Sequence, residues 1–66
     1  MNIVLNGEQR SLDGVLTLRG LIDDLDLAGK RLAVEVNEEV VPRSEHADFP
    51  LHDGDRVEIV HAIGGG

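Results

Sequence analysis

Residues 1–25 read MNIVLNGEQRSLDGVLTLRGLIDDL, and within them the apolar period changes once. Met1, Ile3 and Leu5 alternate with Asn2 and Val4, the two-residue period of a strand. Asn6-Gly7 follows at once and predicts a tight hairpin, since both central positions of a type I′ turn want positive φ. Gln9 to Leu12 then returns as a second strand, closed by Asp13-Gly14. From there the period becomes helical: Leu18, Leu21, Ile22 and Leu25 recur at i, i+3, i+4 and i+7. Thr17 stands at the N-cap, where its hydroxyl can accept a backbone N–H. Gly20 costs such a helix about 1 kcal/mol against Ala. Asp23, Asp24 and Asp26 lie at the end where the helix dipole disfavours anions. The pattern predicts a short helix held by packing, ending near Asp26, with Gly29 in the exit loop.

Beyond the helix, Leu32, Val34 and Val36 alternate with Ala33, Glu35 and Asn37 as a third strand. Asn37-Glu38-Glu39 reads as a turn, and Val40-Val41 as a very short fourth strand halted by Pro42. Ser44 to Phe49 is expected to be an irregular or single-turn helical connector. Asp53-Gly54-Asp55 turns the chain into the last strand, Arg56 to Ile63, and Gly64-Gly65-Gly66 follows directly. This ββαββ order predicts an α+β domain over residues 1–63, a small mixed sheet with one helix across it, and a flexible glycine tail at 64–66. Parity places Ile3, Leu5, Val57 and Ile59 toward the helix and leaves Val4, Glu58, Val60 and Ala62 on the open face.

Composition narrows the function. The 66 residues contain no cysteine, and six Lys and Arg against thirteen Asp and Glu give a net charge of −7. A chain of this length buries only about 60% of the surface its unfolded form exposes, so its core must be compact and aliphatic. Without cysteine there is no disulfide framework, no thiolate nucleophile and no Cys-based zinc site. The acidic balance argues against nucleic acid, whose binding needs clustered Lys and Arg. No apolar run approaches the roughly 20 residues of a membrane span, and no basic-then-apolar leader opens the sequence. The expectation is a soluble, cytoplasmic mini-domain too small to hold a catalytic constellation of its own.

Few residues offer chemistry. Asp53-Gly54-Asp55 lacks the alternating oxygen ligands and closing glutamate of a calcium loop, and a hairpin turn explains it. His46, His52 and His61 match no metal-ligand spacing with Asp48 or Asp53, so no metal site is expected. Ser11 and Ser44 lack a nucleophile elbow, and no glycine loop precedes a helix to cradle phosphate, so the chain is not expected to bind ATP itself. Glu58 and Asp55 offer negative charge to a basic partner groove, although acidic residues also serve ordinary solubility. The glycine run carries the most content. Lacking side chains, it can thread a channel too narrow for any Cβ, and Gly66 brings an α-carboxylate that a partner can activate. A frayed terminus has the same look, but here the run follows an apolar strand with no polar linker.

These residues resemble a family, the ubiquitin-like sulfur carrier protein of thiamine biosynthesis. Val36-Asn37 through Val40-Val41-Pro42-Arg43 is similar to its strand, turn and Val-Pro-Arg segment. Asp53-Gly54-Asp55-Arg56-Val57-Glu58-Ile59-Val60 is similar to its turn and last strand, and Ile63-Gly64-Gly65-Gly66 to its Gly-Gly tail. One departure is His46, where such proteins often carry a tryptophan. The resemblance implies a β-grasp fold and a carrier rather than an enzyme. It implies that an adenylyltransferase of the ubiquitin-activating type joins the Gly66 carboxylate to AMP from ATP, with Gly64 and Gly65 as the arm. Sulfur from a partner persulfide then displaces AMP, and thiazole synthase takes it from the resulting thiocarboxylate. No cofactor bound by the chain itself is implied. Two other readings share features with this one. The small subunit of molybdopterin synthase has the same fold and tail chemistry but is usually longer, and a ubiquitin-like modifier would form isopeptide bonds, its single Lys30 permitting little chain building.

Overall fold

A computed structural model describes residues 1–61. Its elements are strands β1 (Asn2–Leu5) and β2 (Glu8–Ser11), helix α1 (Leu18–Asp24), strands β3 (Leu32–Val36) and β4 (Glu39–Val40), a 3₁₀ segment (Arg43–Asp48) and strand β5 (Arg56–His61). The hairpin forms where Asn-Gly demands it: Asn6 and Gly7 have φ of 49° and 83°, and β1 pairs antiparallel with β2 from Leu5↔Glu8 to Asn2↔Ser11. The second strand thus runs Glu8–Ser11 instead of Gln9 to Leu12, with Leu12 turned into the core.

The helix begins as its cap dictates. Thr17 is extended, and its Oγ1 accepts the Gly20 N–H at 3.1 Å. It ends two residues before Asp26. Asp26 takes a left-handed φ of 60°, its N–H donates to the Asp23 carbonyl, and the Leu27 N–H donates to that of Ile22. These two bonds make a Schellman stop, with an aspartate where glycine is the usual choice.

The sheet has order β2-β1-β5-β3-β4 among the described residues. The last strand is inserted in the middle, parallel to β1 and antiparallel to β3. A five-stranded mixed sheet with its single α-helix on one face is the ubiquitin-like β-grasp arrangement, as the resemblance implied. The fourth strand begins one residue earlier than Val40. Its turn is the pair Asn37-Glu38, both at positive φ (52° and 71°), so Glu39 already pairs with Val36 and Val41 turns into the core. The connector is a 3₁₀ segment whose one buried polar side chain is His46. His46 is 7% exposed, and its Nε2 donates to the Val41 carbonyl at 3.0 Å. A buried ring nitrogen without such a partner would cost the domain about 1–3 kcal/mol.

The core lies between sheet and helix. Ile3, Leu18, Leu21, Val34 and Val57 are fully buried, with Ile22, Val36, Leu51 and Ile59 around them. It is aliphatic, and Phe49, the chain's one aromatic residue, only packs against its edge. A core this small must fill its space with branched side chains, each contributing about 1.5–3 kcal/mol on full burial.

Candidate carrier tail and docking face

Strand β5 feeds the glycine run, and it is the most thoroughly held strand of the sheet. Five residue pairs join it to β3, from Leu32↔His61 to Val36↔Val57, and Val4↔Arg56 and Leu5↔Val57 join it to β1. Two turn asparagines brace it from either side. Asn6 extends β1 by its side chain: the Ile59 N–H donates to Asn6 Oδ1 at 2.9 Å, and Asn6 Nδ2 donates to the Ile59 carbonyl at 3.2 Å. Asn37 does the same at the start of the strand, accepting the Arg56 N–H at 3.0 Å and donating to Asp55 Oδ1 at 3.1 Å. Two aspartates of the turn complete the brace. Asp53 Oδ1 accepts the Asn2 N–H at 2.7 Å, and Asp55 Oδ2 accepts the His52 N–H at 2.8 Å. Asp55 is therefore engaged in building the turn and is not a free surface acid; its side chain is only 13% exposed. The strand that precedes the glycine run in sequence is held by both neighbours over its described length, Arg56–His61.

The open face carries the other half of β5. Val60 is 63% exposed, Glu58 is exposed, and Val4 is half-buried. The register adds residues that parity alone did not bring together. Val60 lies opposite Ala33, and Glu58 lies opposite Glu35, which in turn pairs with Val40 at 74% exposure. Two carboxylates thus stand side by side between exposed valines, an arrangement that is destabilising in a free sheet. Such a face can accept a cationic side chain between apolar contacts. Ala62, Gly64, Gly65 and Gly66 lie outside the described residues, as does the end of the predicted last strand at Ile63.

The histidines are apart in character. His46 is buried against Val41, whereas His52 and His61 are exposed. Among the described residues no three His, Asp or Glu side chains are grouped to hold a metal ion. No helix among them is long and apolar enough to cross a membrane.

The strand order, the single α-helix of the described residues against one sheet face and the glycine run in the sequence after the central strand define a ubiquitin-like β-grasp domain. The family described as the ThiS family matches residues 3–66. A solved structure of a thiamine biosynthesis protein (ThiS) from Geobacter metallireducens superposes with a TM-score of 0.84 at 35% identity, covering all of both chains. The sulfur carrier protein ThiS of Thermus thermophilus is 44% identical over 62 residues, 94% of this chain and 95% of that protein. That of Escherichia coli is 29% identical over the full length of both. The chain belongs to the ThiS family, and its curated relatives include sulfur carrier proteins ThiS. It is also 42% identical over all 66 residues to a thiazole synthase of Paramagnetospirillum magneticum, of which it spans 20%. A second thiazole synthase, from Magnetococcus marinus, matches to the same extent, so the chain spans about a fifth of these two relatives.

Proposed function

We propose that this chain carries sulfur for thiazole formation in thiamine biosynthesis, as a thiocarboxylate on Gly66. A carboxylate is a poor acyl donor, and adenylation gives it a good leaving group. An adenylyltransferase of the ubiquitin-activating type, docked on the open face at Val4, Glu58, Val60 and Ala62, presents Gly66 to ATP. The carboxylate attacks the α-phosphorus and pyrophosphate leaves. The terminal sulfur of a partner persulfide then attacks the acyl carbon and AMP leaves, giving an acyl disulfide. A thiol attacks the partner's sulfur of that S–S bond, forms a new disulfide with it, and the thiocarboxylate leaves. Gly64 and Gly65 are the arm that reaches both active sites, because glycine lets the backbone approach a surface closely. The chain is a co-substrate, not the enzyme, and the ATP consumed in the reaction is bound and activated by the partner. The reaction belongs to the cytoplasm, where ATP is at hand.

The observation that carries the reading is family membership over residues 3–66, a match that includes the glycine run. The two thiazole synthases that contain a stretch like this chain favour thiazole synthase as the acceptor over molybdopterin synthesis. The test is ATP–pyrophosphate exchange with the cognate adenylyltransferase. Removing Gly66, or replacing Gly65 by a bulky residue, is expected to abolish exchange and leave the melting temperature unchanged. Normal exchange from the shortened chain contradicts the proposal.

A further inference from the structure

Of the six Lys and Arg residues in this acidic chain, three line one groove. Arg19 comes from α1, Lys30 from the loop after it and Arg43 from the start of the 3₁₀ segment, with His46 beside them. The groove holds about 100 Å³, and no Asp or Glu lines it although the chain carries thirteen. Arg19 makes a loose contact with Asp23, Nε to Oδ1 at 3.6 Å, both side chains more than half exposed. Lys30 and Arg43 have no ion-pair partner among the described residues. The loop supplies more donors: Ala28 and Gly29 line the groove, and among the described residues their N–H groups make no backbone hydrogen bond. Gly29 takes a positive φ of 82°, and the Lys30 N–H donates to the Leu27 carbonyl at 3.1 Å, so a tight turn carries these residues past the groove.

We infer that this groove binds a phosphate group. Cations from three separate elements suit an anion with at least three acceptor oxygens, which phosphate has and a lone carboxylate lacks. The volume admits the phosphate and leaves the remainder of any larger ligand outside. The groove shares no residue with the open face, so a partner on the sheet and a phosphate in the groove can be held together. The same chemistry serves free phosphate and the phosphate of a nucleotide.

The test is an amide ¹H–¹⁵N titration of the full chain with inorganic phosphate, with AMP, and with sodium chloride at matched ionic strength. The expected result is saturable shifts centred on Leu27–Leu32 and Arg43–His46, absent from Glu58 and Val60 and absent with chloride. The double substitution Lys30→Ala with Arg43→Ala, at two exposed positions, is expected to weaken phosphate binding by about tenfold or more. AMP binding more tightly than phosphate assigns the groove to a nucleotide's phosphate; equal or weaker AMP binding assigns it to free phosphate. Shifts that follow ionic strength alone, or a folded double variant that binds like the parent, overturn the inference. If the double variant does not fold, Arg19→Gln serves in its place, and unchanged affinity there overturns it equally.

Discussion

Strand β5 has two sides with opposite fates. Val57 and Ile59 point under the helix and are 0% and 7% exposed, whereas Glu58 and Val60 point away from it and are exposed. A valine stands on each side, so residue type alone does not decide which valine is covered. What differs is the layer above them. One α-helix of seven residues can cover a single face of a five-stranded sheet, so the opposite face must keep its valines in water or lend them to a partner. The covered side answers for stability and the open side is free to answer for recognition.

Truncation should separate the two sides most strongly. Ile59→Ala is expected to cost about 3 kcal/mol through lost burial and the cavity it leaves, while Val60→Ala stays within about 0.5 kcal/mol. In a domain this size each kcal/mol moves the melting point by about 4–8 °C, so thermal unfolding of the two variants reads the contrast directly. Similar losses at both positions would break it. A charge sharpens the comparison from the other side. Val60→Asp is expected to weaken binding of the adenylyltransferase by about tenfold or more, with stability changing by no more than about 1 kcal/mol, the span of strand preferences. Isothermal titration beside thermal melts checks this, and equal losses in both would make Val60 a core residue. The smallest effect concerns the facing carboxylates. Glu35→Gln is expected to stabilise the free domain by a few tenths of a kcal/mol at low salt, an effect that salt erases. Destabilisation that persists in high salt would mean that Glu35 serves the sheet in some way other than charge.

Much of this division is legible in the sequence because it follows from local chemistry. Asn6-Gly7 names its own turn, Thr17 its own cap, and the alternation through Arg56–His61 its own faces. The departures arise where a residue adopts a conformation that its type does not announce. Glu38 and Asp26 both take left-handed φ, and each moves a boundary: the fourth strand starts at Glu39 and the helix stops at Asp24. The open face is legible in the sequence as Val4, Glu58 and Val60 but not as a patch. Val40, Ala33 and Glu35 join it only through strand register, which no local pattern records. The braces on β5 were hidden for the same reason, since Asn6 and Ile59 are 53 residues apart in the chain. His46 was legible only as a departure from a family pattern; its carbonyl partner five residues away explains how the position accepts it.

The central claim is that Gly66 carries sulfur. Intact mass measurement of the chain isolated from cells making thiamine tests it most directly, before and after treatment with an alkylating reagent. The expected result is a form heavier by one sulfur-for-oxygen exchange that reacts with the reagent. The sequence makes the reading clean, because it has no cysteine and Met1 is its only other sulfur. Finding the chain solely as amide-linked adducts on other proteins, with no sulfur-bearing form, would contradict it.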